Sequence, residues 1–443
     1  MEVLNSIALP QSTGHFHLLL FIYNIVMAVA MPYVALLTGV LVLAVWADRR
    51  ATGGADNYGR QLSREMVNAI LPTKTVFMFL GVLPSLSTVF VYAQLFQGTP
   101  ALASGFAALG VLLLIAAGIA GFFYQYTFRV EDALSQVRTK AALPDAVAEL
   151  EAGAKGTHRR SGTIAVWTIL GAVFCFSAAH AVGANPAHWH DVDSLFGALL
   201  SLDVWLSVIF FLTVAGAMTG IGILYFHQRP GAAGDTKTGY TVRMQRTGIR
   251  LSTVALLSAP VALVLTMLTL PDSALSGWVY GLAALAVLAL FGALHGLYAY
   301  VRLHRAGASA YALGAVILAT TALVTKDQVA LHNSTRDQAV ILAHVYDRSE
   351  EALKSALGVA AKQLSGEDIF NAKCSACHMF DQKKVGPPYA SVLPKYKGKK
   401  PELVSFILNP SKVDPAFPPM PSQGLKPAEA DSIATYLLGK VKG

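Results

Sequence analysis

The chain has 443 residues, 54% of them hydrophobic and only 14% charged, with a formal net charge of +8 and a mean hydropathy of +0.51. A chain this apolar takes lipid as its main solvent, and its Lys and Arg sit in short loops rather than on one basic face, which argues against a nucleic-acid partner. Of its three cysteines two share one short motif, so no disulfide framework is expected.

The opening segment, Met1 to His15, has neither a basic stretch ahead of a short apolar core nor a small-residue cleavage site, so the first apolar run reads as retained. A helix needs about 20 mostly apolar residues to cross a hydrocarbon core of about 30 Å. Eight runs qualify, at approximately 16–46, 71–96, 101–128, 162–184, 194–226, 250–270, 276–301 and 308–325. They are too long for barrel strands and lack period-2 alternation, and lipid demands that each segment bond its own backbone, so they are helices. Cys175, inside the fourth run, reads as a small buried hydrophobe.

The loops after runs 1, 3, 5 and 7 carry Arg49, Arg50, Arg60 and Arg64; Arg129, Arg138, Lys140, Lys155, Arg159 and Arg160; Arg229, Lys237, Arg243 and Arg246; and Arg302 and Arg305. The loops after runs 2, 4 and 6 carry none. Excess Lys and Arg marks the cytoplasmic side, so both termini are expected on the periplasmic side of a bacterial inner membrane. Trp189 and Trp278 then fall near the outer edge and Trp46 near the inner one.

Histidines within the runs are candidates for a non-covalent haem b or a related high-spin haem, with an ordinary hydrogen-bonded core residue as the alternative at each. His17, opening the first run, and His180, just below the outer end of the fourth, lie at the depth nearest the outer side. His188 and His190 flank Trp189 and read as surface residues. His295 lies deeper toward the cytoplasm, and His227 and His304 adjoin basic loops. Asp203 either faces a partner, water or a proton path within lipid, where a charge costs at least about 2.5–3.5 kcal/mol, or is interfacial on a helix that begins late. Lys74 is placed to snorkel.

After Thr325 the composition turns charged and polar. The expected organisation is an eight-span domain over 1–325, a partly helical connector over 326–365 and a compact domain over 366–443, the last near the lower size limit for an independent core. In Cys374-Ser375-Ala376-Cys377-His378 two thiols stand on one helical turn with an imidazole directly after them. That spacing suits two porphyrin vinyl groups and an axial His, so Cys374, Cys377 and His378 are candidates to hold one covalent haem c. A zinc site would want two further ligands at short spacing, and none follows His378. Met420, in Phe417-Pro418-Pro419-Met420-Pro421, is the candidate second axial ligand on a Pro-stiffened loop, against a packing role. Met379, next to the proximal His, cannot reach the distal side.

Residues 366–443 resemble the class I monohaem cytochrome c family. The resemblance rests on Gly366-Glu367-Asp368-Ile369-Phe370 before the motif, Val385-Gly386-Pro387-Pro388-Tyr389 after it, the Met-Pro loop and a last helix from Pro427. It implies that the carbonyl of Pro387 orients His378, and that haem attachment takes place outside the cytoplasmic membrane. In the last helix Ile433, Tyr436 and Leu437 recur on the face expected to pack against the haem-motif helix. The expected fold is therefore all-α, an eight-helix transmembrane bundle with a C-terminal class I cytochrome c domain.

The stretch Gly14-His15-Phe16-His17-Leu18-Leu19-Leu20-Phe21 and the loop Tyr58-Gly59-Arg60 resemble subunit I of the cytochrome bd-type oxygen reductases. The resemblance implies a high-spin, catalytic haem on His17. Three features depart from that pattern: 101–128 holds no Asp or Glu, 194–226 holds no His, and the loop between runs 6 and 7 shrinks to about Pro271–Leu275. Quinol entry and a low-spin haem in the fifth run are thereby in doubt. The expectation is a membrane-bound, bd-like oxygen reductase subunit of a respiratory chain, fed through its haem c by a periplasmic electron-donor cytochrome and held in lipid with further membrane subunits. The alternatives are a relay without oxygen chemistry and a haem c domain on a cofactor-free anchor.

Overall fold

A computed structural model describes residues 11–51, 58–138, 144–227, 239–305, 307–357 and 365–440. Among the described residues there is no β-strand, and the chain forms two compact units, Met1–Asp347 and Arg348–Gly443. Of the basic loop residues, Lys140, Arg229 and Lys237 lie outside the described residues, as do the first ten residues and 358–364 of the connector.

Each apolar run supplies one helix long enough to cross a membrane. They are α1 (Thr13–Arg50), α3 (Lys74–Leu95), α4 (Ala103–Arg138), α5 (Pro144–Ala184), α6 (Leu202–His227), α7 (Gly239–Leu268), α8 (Gly277–Leu303) and α9 (Ala308–Ser334). Between the first two lies α2 (Tyr58–Ile70), unforeseen in the loop there. Its Leu62, Met66 and Ile70 are buried at i, i+4 and i+8, while Arg60 and Arg64 reach Glu131 and Asp132 of α4.

The helix α1 packs against α3, α5, α6 and α9, while α4 lies along α5, α6 along α7 and α8 along α9. Its buried face is Tyr33, Leu37, Leu41 and Ala44. Lipid is as apolar as leucine, so close van der Waals packing rather than escape from water holds these helices together. Small residues make that closeness available: Ala286 and Ala293 of α8 and Ala312 and Ala319 of α9 are all buried in one cluster.

Two boundaries differ from the apolar runs. The fifth run breaks at Ser201, whose extended backbone separates a short helix Leu195–Leu200 from α6. There the Ser201 hydroxyl donates to Asp203 Oδ1 and the Trp205 indole N–H donates to Leu199 O at 2.8 Å, so local side-chain bonds compete with a continuous helix. Asp203 is consequently in the first turn of α6. The eighth run continues well past Thr325, because Lys326 and Asp327 satisfy each other at 2.6 Å and can stay helical. In α3 a π-turn over Met78–Val82 precedes Pro84, which has no N–H to donate, and the Ser85 hydroxyl donates to Gly81 O at 2.7 Å.

After α9 comes α10 (Arg336–Ala356), within which the unit boundary falls. The second unit holds α11 (Gly366–Ile369, continued by a π-turn over Phe370–Cys374), α12 (Lys400–Leu408) and α13 (Pro427–Lys440). A capping box between Ser365 and Asp368 starts α11. Its core gathers Ile369, Phe370, Leu393, Leu403, Ile407, Ile433 and Leu437. Each such side chain contributes about 1.5–3 kcal/mol by leaving water. Tyr436 lies at the rim, its ring 5.8 Å from Phe370 and its hydroxyl donating to Glu367 at 3.2 Å.

Candidate functional site

The second unit presents the Cys374–His378 segment at the end of α11. His378 N and Cys377 N both donate to Cys374 O, at 2.9 and 3.1 Å, and Gly386 N donates to Cys377 O at 2.9 Å, which brings the Gly386-Pro387 pair under the imidazole. His378 Nδ1 lies 3.1 Å from Pro387 O. A carbonyl only accepts, so that nitrogen carries the proton and Nε2 is left to face a metal. A Cβ on Gly386 would sit 2.2 Å from His378 Cε1, so the ring rests on bare backbone. The Tyr389 ring stacks on it at 4.8 Å between centroids and 14° between planes.

Cys374, Cys377, His378, Gly386 and Pro387 line one cleft together with Pro418, Pro419, Met420 and Pro421. Met420 is half-buried there, whereas Met379 is exposed and outside it. Burial, and second the neighbouring Cys377, pushes the Cys374 thiol up, so an unreacted thiol stays neutral. Burial likewise pushes the Tyr389 phenol up, keeping it an uncharged stacking partner. Two thiols, an oriented imidazole and a thioether on one cleft fit a covalent haem, which when bound supplies one-electron exchange at iron. Tyr389 is a site residue that spacing alone did not mark; its aromatic ring directly after the Gly-Pro-Pro run was the available signal.

In the first unit His17 and His180 do not meet. His17 is exposed at the start of α1 and its ring lies 5.8 Å from that of His332, with Gln94, Gln97 and Ala339 lining the same small cavity. His180 lines a different, interior cavity, and its Nε2 lies 3.6 Å from Asp327 Oδ1. That cavity is apolar through Met31, Val34, Phe176, Phe210 and Val214, and polar at one end through His180, Asn185, Asp203, Lys326 and Asp327. The Lys326 side chain retains only 4% of its surface. Asp203, in the first turn of a helix that begins late as the interfacial alternative required, faces His188 at 3.1 Å, within ion-pair range though off the line of a hydrogen bond, so it has a cationic partner when His188 is protonated. His295 is exposed on α8, and the side chain of His227 lies outside the described residues. Among the described residues no group of three or more His, Cys, Asp or Glu is placed to hold a metal ion.

Comparison with known proteins places the haem-motif region. Residues 364–439 match the family model described as Cytochrome c. Cytochrome c-552 of Hydrogenobacter thermophilus is 35% identical over 91 residues, 19% of this chain and 92% of the relative. Cytochrome c-551 of Pseudomonas denitrificans is 38% identical over 79 residues, 17% of this chain and 95% of the relative. These matches cover small parts of the chain and nearly the whole of each relative. A covalent haem c and a role in electron transfer follow for this region, joined in one chain to eight helices fit to span a membrane. Through residues 364–439, a complete haem-binding domain at its C-terminus, the chain belongs to the cytochrome c family.

Proposed function

We propose that the chain is a bd-like oxygen reductase subunit of a bacterial respiratory chain, fed by a periplasmic cytochrome through its haem c. The observation that carries the reading is the joining of a cytochrome c domain to a membrane unit whose first helix opens on Phe16-His17. In this reading His17 holds a high-spin haem where dioxygen is reduced, and His180, whose Nε2 lies 3.6 Å from Asp327, is a second candidate ligand. Cys374 and Cys377 carry haem c, and His378 and Met420 ligate its iron. Loop charges support an inner-membrane location with both termini periplasmic. Unpaired apolar surface such as Leu112 and Leu288 suits lipid and further membrane subunits.

The His17–His332 pair favours one second reading. Two imidazoles this close could ligate one iron and make it low-spin, which would make the subunit a relay without oxygen chemistry. Spectroscopy of the purified full chain separates the readings. The oxidase predicts, beside haem c, a ferrous high-spin haem that binds CO, and the relay predicts a low-spin haem b that does not. Haem c alone overturns both and leaves an anchored cytochrome.

A further inference from the structure

Four arginines lie at one end of the membrane unit, where Arg49 and Arg159 line one groove and Arg50 and Arg160 follow them in sequence. Arg49 and Arg50 close α1, while Arg159 and Arg160 stand just before the apolar stretch of α5. The helices converge there because a Cβ on Gly162 would lie 2.9 Å from the Tyr124 ring and 3.2 Å from Val45 Cγ2. Convergence leaves an open groove lined by Val45, Asp48, Arg49, Tyr124, Arg159 and Gly162.

The nearby carboxylates are already engaged. Asp48 faces His158 at 3.0 Å, Glu131 pairs with Arg60, and Asp132 with Arg64. None of the four arginines makes an ion pair with a described carboxylate; Arg49 donates to the Thr163 hydroxyl, and Arg50 lies 4.3 Å over the Trp46 ring. Asp48 is the one described carboxylate lining the groove, so the four arginines outnumber it, and an external anion would relieve their mutual repulsion.

The apolar surface beside them says what kind of anion. Arg160, Ile164 and Trp167 follow one another at i, i+4 and i+7 along one stripe of α5, and Ile164 and Trp167 are 52% and 71% exposed. On α1, Trp46 stands one turn from Arg50 and is 51% exposed. Each arginine pair thus heads an exposed apolar stripe, at the depth where a bilayer changes from phosphate to hydrocarbon. Guanidinium forks match phosphate oxygens bidentately.

We propose that this groove binds an anionic phospholipid with two phosphodiesters, its phosphates on the arginines and its acyl chains along Trp46 and Ile164–Trp167. The inference rests on the first unit being membrane-embedded and is independent of the oxygen chemistry proposed above. The full chain is placed in phosphatidylcholine nanodiscs containing cardiolipin or phosphatidylglycerol, then delipidated, and retained lipid is counted by native mass spectrometry. Wild type should keep cardiolipin in preference to both other lipids. Arg49→Gln with Arg159→Gln should lower that retention on the order of 30-fold, from two lost charge contacts. Arg50→Gln with Arg160→Gln, at two exposed positions, repeats the test should the first pair fail to fold, with helicity by circular dichroism as the control. Equal cardiolipin retention by wild type and both pairs overturns the site. Equal retention of phosphatidylglycerol overturns the two-phosphate assignment. Displacement of the lipid by inorganic phosphate overturns the lipid in favour of a free anion.

Discussion

His378 Nδ1 donates to Pro387 O at 3.1 Å while the backbone of Gly386 lies against the same ring. The two contacts fix both the tautomer and the tilt of the imidazole, so the iron-facing nitrogen is chosen before any haem arrives. Gly386→Ala should therefore displace the ring. Overpacking of this kind costs typically about 1–3 kcal/mol. A lower thermal midpoint and a smaller yield of covalent haem c are expected, and an unchanged yield and midpoint would show that the ring is not held this way.

The attachment chemistry is separable from the membrane unit. Cys374→Ala or Cys377→Ala is expected to lose normal covalent haem c while the eight helices still insert, since the thiols belong to the second unit. Acid-acetone extraction checks the premise: if it strips all haem from the wild type, covalent attachment is ruled out.

The axial thioether is the next test. Met420 shares the cleft with His378 and is held between Pro419 and Pro421. A thioether raises the potential of haem iron, so Met420→Ala should lower the haem c potential and abolish a near-infrared sulfur-to-iron charge-transfer band. An identical potential and band in the variant would place the ligand elsewhere.

The haem motif and the eight helices were legible in the sequence for the same reason: each is set by a fixed length, the spacing of two vinyl groups in one case and the thickness of lipid in the other. Long-range pairing was not legible. Lys326 and Asp327 read as the start of a polar connector, because their tolerance inside α9 depends on each other and on His180, far away in sequence. His332 could not be linked to His17 from spacing, since α1 and α9 meet only in the packed bundle. The helix α2 was hidden by its arginines, although Leu62, Met66 and Ile70 already carried the helical period.

Lys326 offers a test of the interior cluster. Lys326→Met leaves Asp327 without its 2.6 Å partner in a cavity that already holds Asp203. Stranding one member of a buried pair should cost about 3 kcal/mol, at the low end because Asp327 keeps 30% of its surface. Lys326→Met combined with Asp327→Leu should recover most of the loss. Denaturant unfolding in nanodiscs, followed by tryptophan fluorescence, decides; a single variant as stable as wild type would remove the pair from the list of structural contacts.

Electron entry is the prediction on which the functional proposal turns: reduced cytochrome c, not quinol, should be the donor. Between α7 and α8 only a short connection with one turn over Asp272–Ala274 is present, too small to shelter a quinol ring. Residues 194–226 of the fifth run hold no His for a low-spin haem that would take quinol electrons. Haem c supplies an alternative port. Of the lysines suited to steering an acidic donor, Lys399 and Lys400 already pair with Glu402 at 3.5 Å and Asp431 at 2.8 Å, which leaves Lys395 and Lys397 as the exposed charges with most to offer. Turnover with cytochrome c should then fall as added salt screens them, and Lys395→Gln with Lys397→Gln should flatten that dependence. The comparison to make is oxygen consumption with each donor, in wild type and in Cys377→Ala. Brisk quinol oxidation by the variant that lacks haem c would mean electrons enter by another route, and the cytochrome-fed reading would be abandoned.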